Sequence, residues 1–138
     1  ERLGNHVPRV TPEEAGRTLA RIAGAVQVTL FAHYDTDHAG HRGGLDAAVA
    51  ALEKVDAFLA ALAAALPDDA LLVVASDHGN LEDARGGHTR NSVPVIAAGP
   101  GRDLIARRVR GIADVTPALL EALGIRSHDA TSVAGCPL

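Results

Sequence analysis

Ala70-Leu71-Leu72-Val73-Val74-Ala75-Ser76-Asp77-His78-Gly79-Asn80, residues 70–80, is the stretch on which the reading of the fold turns. Its apolar run, Ala70 to Ala75, predicts a buried central strand. Asp77 and His78 follow directly, at the carboxyl end where open α/β sheets bind ligands. The same chemistry recurs on either side. Upstream, Val26 to Ala32 is apolar and β-branched apart from Gln27 and Thr29. It predicts another strand, delivering Tyr34, Asp35 and Asp37-His38-Ala39-Gly40-His41 to its far end. Downstream, Gly86-Gly87 precedes His88 in a loop able to fold back over the same edge. Carboxylates and imidazoles are the usual protein ligands of Zn and Mn. Asp37, His41, Asp77, His78 and His88 are therefore candidate metal ligands converging on one site.

Each of these residues alone has an ordinary reading as a loop or capping residue. Their joint placement after apolar runs is what points to metal. Asp37 and His41 are expected as a loop chelate, with Gly40 letting the backbone turn so that both side chains converge. His38 is expected to lie outside the ligand set. His33, Asp35 and Asn80 are expected to support the ligands by hydrogen bonding. His6 and His128 sit in polar terminal segments and have no evident partner.

The rest of the chain alternates helix and strand. Thr11-Pro12-Glu13-Glu14 is a capping box with proline at the first helical position. Ala15, Leu19 and Ile22 then recur at helical spacing until Gly24. A long helix is predicted from Gly44 to Leu66, with Leu45, Val49, Leu52, Val55, Leu59, Leu62 and Leu66 on one face. Pro67-Asp68-Asp69 stops it. A third strand is expected at Val93 to Ala98, with Pro94 near its start, then a turn at Gly99-Pro100-Gly101. Thr116-Pro117 opens a helix through Leu119, Leu120 and Leu123 that ends at Gly124. Strand, helix, strand in this order predicts a parallel pair.

Composition excludes several classes. The chain has 138 residues and a net charge of −4, which argues against nucleic acid as a partner, because phosphate backbones call for a basic face. Arg102, Arg107, Arg108 and Arg110 form its one basic stretch, read as a solvated face or a contact to polypeptide outside these residues. No apolar run reaches the roughly 18 residues of a membrane span and no signal segment opens the chain, so no membrane partner is expected. Cys136 is the single cysteine, so no internal disulfide forms. Aromatics are only 2% of residues, which leaves the core to small and branched aliphatic side chains.

Tyr34 to His41, Ser76 to Glu82 and His88 to Pro94 together resemble the second half of the catalytic domain of the alkaline phosphatase superfamily. Within it, Ser76-Asp77-His78-Gly79-Asn80 with Glu82 is most similar to the cofactor-independent phosphoglycerate mutase branch and to metalloenzyme domain proteins. The resemblance runs from about Val10 to Gly124. It implies an α/β sandwich with a mostly parallel central sheet and helices on both faces. Residues 1–138 would then be a single domain, the carboxy-terminal part of such a catalytic domain. It further implies two divalent ions, Mn or Zn, one held by Asp37, His41 and His88 and the other by Asp77 and His78. The family also uses an aspartate and a Ser or Thr nucleophile from the amino-terminal part of the domain. Nothing in this chain matches them, and the chain has no Met, so it reads as a fragment that is inactive alone.

The expected function is metal-dependent phosphoryl transfer on a small phosphate ester, as a phosphatase or phosphomutase in the cytoplasm. Two divalent ions bring more positive charge than Asp37 and Asp77 return, which suits a phosphate dianion. Paired metals would stabilise both attacking and leaving oxygens, and the nucleophile would form a covalent phospho-enzyme. Arg85 and Arg90 flank His88 and are candidates for holding phosphate oxygens, against the alternative that they are solvated loop residues. Two other readings stay open: a sulfate or phosphonate ester hydrolase with the same ligands, and a non-catalytic metal-stabilised module.

Overall fold

The computed structural model describes residues 8–42, 44–83 and 87–125. They fall into two compact units, Glu1–Pro67 with Asn80–Thr89, and Asp68–Gly79 with Arg90–Leu138.

In the first unit the capping box forms as the sequence predicts. The Glu14 amide donates to Thr11 Oγ1 at 3.2 Å, and the Thr11 amide donates to Glu14 Oε2 at 2.8 Å. These two bonds start helix α1, Pro12–Ala23, which Gly24 closes; such a cap is worth about 1 kcal/mol. Hydrogen bonding at its own backbone, then to Thr11, holds the Glu13 carboxyl below the usual glutamate range. α1 packs on helix α3, Gly44–Ala65, through small residues. A Cβ added to Gly16 would stand 2.4 Å from the Phe58 carbonyl oxygen and 2.9 Å from the Leu62 nitrogen. Glycine thus lets the two backbones touch. Ala20, Ala48, Ala51, Phe58 and Leu62 are buried, and Phe31 stacks on Phe58 with ring centroids 5.2 Å apart.

Three expectations fail in this unit. The buried face of α3 is not the predicted leucine and valine stripe at its amino-terminal half. Leu45, Val49 and Leu52 are exposed, and the alanines Ala48 and Ala51 are buried instead. Val26 to Ala32 pairs with no strand among the described residues, and Val26, Val28 and Leu30 are exposed. The segment before Asp37 leads into a helix: α2, Asp35–Arg42, begins with the His38 amide donating to the Tyr34 carbonyl. Its polar sequence has no apolar period to announce it. Acidic residues do occupy its first turn and basic ones its last, which suits the helix dipole.

In the second unit, strand β1, Leu72–Ala75, pairs with β2, Val95–Ala98, in the register Leu72 to Ala98 and Ala75 to Val95. The pairing is antiparallel, so the parallel sheet expected from the sequence is not what the described residues form. That expectation needed Val26 to Ala32 as the partner of β1. β2 begins directly after Pro94, whose carbonyl accepts from the Ser76 amide at 3.3 Å and which, having no N–H to give a ladder, stands just outside the strand. Helix α4, Arg102–Arg108, follows the Gly99-Pro100-Gly101 turn and was not expected from the arginine spacing. It packs on α5, Val115–Ala122, around Ile105 and Ala118. Arg108 Nε and Nη2 fork onto the Glu121 carboxylate at 2.9 and 3.0 Å, and that hydrogen bonding raises the Arg108 pKa. No described helix is long and apolar enough to cross a membrane. His6, Arg85, His128 and Cys136 lie outside the described residues.

Candidate metal centre

Helix α2 sets Asp37 and His41 four residues apart, one turn along the same face. Helical spacing, and not a glycine turn, brings the two together, which corrects the expectation of a loop chelate. His88 reaches them from the segment Asn80–Thr89 of the same unit. Asp37 Oδ1 lies 3.4 Å from His41 Nε2 and 3.4 Å from His88 Nε2, and the two imidazole nitrogens are 3.0 Å apart. Among the described residues this is the group of three or more donors close enough to hold an ion, with all ligand atoms within 4.8 Å of one another.

The dimensions suit a metal. A tetrahedral Zn with bonds of about 2.0–2.1 Å separates its donors by roughly 3.3 Å. Two nitrogens and one carboxylate oxygen at 3.0–3.4 Å match that triangle. All three side chains are also partly solvent-accessible.

Gly40 has a different part from the one its sequence position suggested. It is the buried residue of α2, and a Cβ there would sit 2.1 Å from Asn80 Oδ1. Its lack of a side chain makes a notch in the helix that the Asn80 carboxamide fills. Asn80 is 4% exposed, and its Nδ2 donates to Asp37 Oδ1 at 2.6 Å and to the Asp37 carbonyl at 3.1 Å. Asn80 thus hydrogen-bonds Asp37, one of the candidate ligands. Asp35 instead pairs with Lys54 on α3 at 3.5 Å, and His33 is exposed. His38 is exposed beside a shallow hollow shared with Asp35, Ala51 and Lys54.

Glu82 and Thr89 carry signals the sequence did not yield as site residues. Glu82 Oε2 accepts from the Asn80 amide at 2.7 Å, and its Oε1 accepts from the Thr89 hydroxyl. One carboxylate thus ties the two ends of the segment that carries His88.

Asp77 and His78 follow β1 as expected and belong to the second unit. His78 Nε2 lies 3.5 Å from Asp77 Oδ2, and the Asp77 side chain is 78% exposed. The Ser76 hydroxyl donates to the His78 carbonyl at 2.9 Å, bracing the turn that presents them. Arg90 is exposed in the same unit.

Comparison with known proteins places the sequence in a family. The model of the metalloenzyme superfamily matches residues 10–127. The chain is 37% identical over 123 residues to a 2,3-bisphosphoglycerate-independent phosphoglycerate mutase of Syntrophotalea carbinolica, covering 83% of this chain and 24% of that protein. It is 36% identical over 124 residues to the mutase of the same name from Halobacterium salinarum, with 83% and 24% covered. A phosphopentomutase of a Methylobacterium species is 42% identical over 95 residues, 67% of this chain and 23% of its own length. The chain thus spans about a quarter of the length of these curated relatives. No solved structure matches significantly.

Proposed function

The chain belongs to the metalloenzyme superfamily, and from that premise we propose that it carries the metal-binding part of an enzyme that transfers phosphoryl groups on a small phosphate ester. The observation that carries the reading is the convergence of Asp37, His41 and His88 within ligand distance of one point, in a chain whose relatives are named as phosphomutases. In this reading those three residues hold one divalent ion, Zn or Mn. Asp77 and His78 contribute to a second ion whose remaining ligands come from elsewhere in the protein. The ions supply Lewis-acid stabilisation of phosphate oxygens when bound. The residues of this chain supply three imidazoles and two carboxylates as ligands, and Arg90, with Arg85, supplies positive charge for phosphate.

The test compares the 138-residue chain with a longer polypeptide that carries it, against phosphoglycerate, an aryl phosphate and an aryl sulfate with Zn or Mn present. The reading predicts turnover of a phosphate ester by the longer protein, abolished by a chelator, and none by the 138 residues alone. Preference for the sulfate, or inactivity of the metal-loaded longer protein on every ester, contradicts it.

A further inference from the structure

Three of the hydrogen bonds around the candidate centre form one continuous path. It starts at the Asp37 carboxylate, passes through the Asn80 side chain to the Asn80 amide, crosses Glu82 and ends at Thr89, the residue next to His88. Asp37 and His88 are 51 positions apart in the chain, and this path joins the two elements that carry them.

We infer that Asn80, Glu82 and Thr89 form a clip, seated in the Gly40 notch of α2, that positions Asp37 and His88 for metal binding. The inference rests on the assignment of Asp37, His41 and His88 as ligands. Asn80 fits this role by geometry and by chemistry. Its Nδ2 faces two acceptors, the carboxylate and the main-chain carbonyl of Asp37, so one amide group fixes both the rotation of the ligand and its place on the helix. Burial keeps water from competing for either bond. Asn80 Oδ1, itself buried, finds no conventional donor among the described residues and faces the glycine hydrogen that stands where a Cβ would be. Such a Cα–H contact offsets part of its desolvation. Any larger residue at position 40 displaces the carboxamide. Glu82 then joins Asn80 and Thr89 with its two carboxylate oxygens, one on each. Hydrogen bonds of this kind orient a ligand before the metal arrives, and their loss typically weakens binding by about 10–100-fold.

The experiment is a competition titration of Zn or Mn against a chromophoric chelator, on the 138-residue chain and its variants, with circular dichroism to verify folding. Asn80→Ala and Gly40→Ala are each expected to weaken binding by about 10–100-fold. The double variant should be no weaker than Asn80→Ala, since both changes remove the same contact. Thr89→Val, which swaps a hydroxyl for a methyl of the same size and keeps the proposal testable if Asn80→Ala unfolds, should weaken binding in the same direction. Thr89→Ser should restore it. Wild-type affinity in Asn80→Ala and Thr89→Val, while His88→Ala has lost the metal, overturns the clip and leaves the ligand assignment intact. Wild-type affinity in His88→Ala overturns the assignment, and the clip with it.

Discussion

Asp37, His41 and His88 differ from Asp77 and His78 in how their donors are brought together. The first set draws on a helix and a distant loop segment, and a buried asparagine holds the carboxylate in place. The second is a dipeptide after a strand, with two adjacent donors 3.5 Å apart and one of them largely in solvent. Three donors already 3.0–3.4 Å apart, one of them held by Asn80, need less rearrangement to take an ion. Two adjacent exposed residues bind an ion only when further ligands join them. The two places thus make unequal claims on metal within this chain.

The largest effect should come from His88→Ala. It leaves two donors of three, and metal affinity of the 138-residue chain should fall by more than the roughly 100-fold that losing a supporting hydrogen bond can cost. Chelator competition measures it, and a loss no greater than that from Asp77→Ala would erase the distinction between the two places. Acid should act next. A ligating imidazole must be neutral, so lowering the pH should release the ion, with protons taken up as it leaves. Glu13, in the first turn of α1, answers to acid separately. Because the folded Glu13 pKa is lowered from 4.5, its contribution is present above that value and lost as pH falls through the lower folded value. Metal content reads the first effect, and the Glu13 carboxyl signal reads the second, with a midpoint below 4.5.

Gly16→Ala separates fold from site. Its Cβ would meet the backbone of α3, so overpacking should cost about 1–3 kcal/mol and lower the thermal midpoint, with metal affinity of the folded protein unchanged. Equal loss of both would mean that the α1–α3 contact itself shapes the metal centre. The smallest effect should come from Asp77→Ala with His78→Ala. Metal retained by the 138-residue chain should stay near one ion, and a fall to none would move the principal site to β1.

The sequence made some elements plain and hid others for physical reasons. The cap at Thr11, the ends of α3 and the apolar run of β1 rest on local chemistry, and they appear where residue type puts them. α2 was hidden because its eight residues are mostly polar and stay helical through dipole-matched ends and packing on α3. The donors Asp37, His41 and His88 were legible from residue type and spacing, whereas the reason they converge was not. Gly40 reads as a turn in sequence and works as a notch in a helix, a difference that depends on a partner, Asn80, forty residues away. The antiparallel pairing of β1 with β2 was equally out of reach, since the order of strands does not determine which of them meet.

X-ray absorption at the metal edge of the Zn-loaded 138-residue chain tests the central claim most directly. A centre built from Asp37, His41 and His88 predicts about one ion per chain with two imidazole nitrogens among its ligands, and one imidazole fewer, or no ion, in His88→Ala. An imidazole count that His88→Ala leaves unchanged, or coordination by oxygen alone, would contradict it.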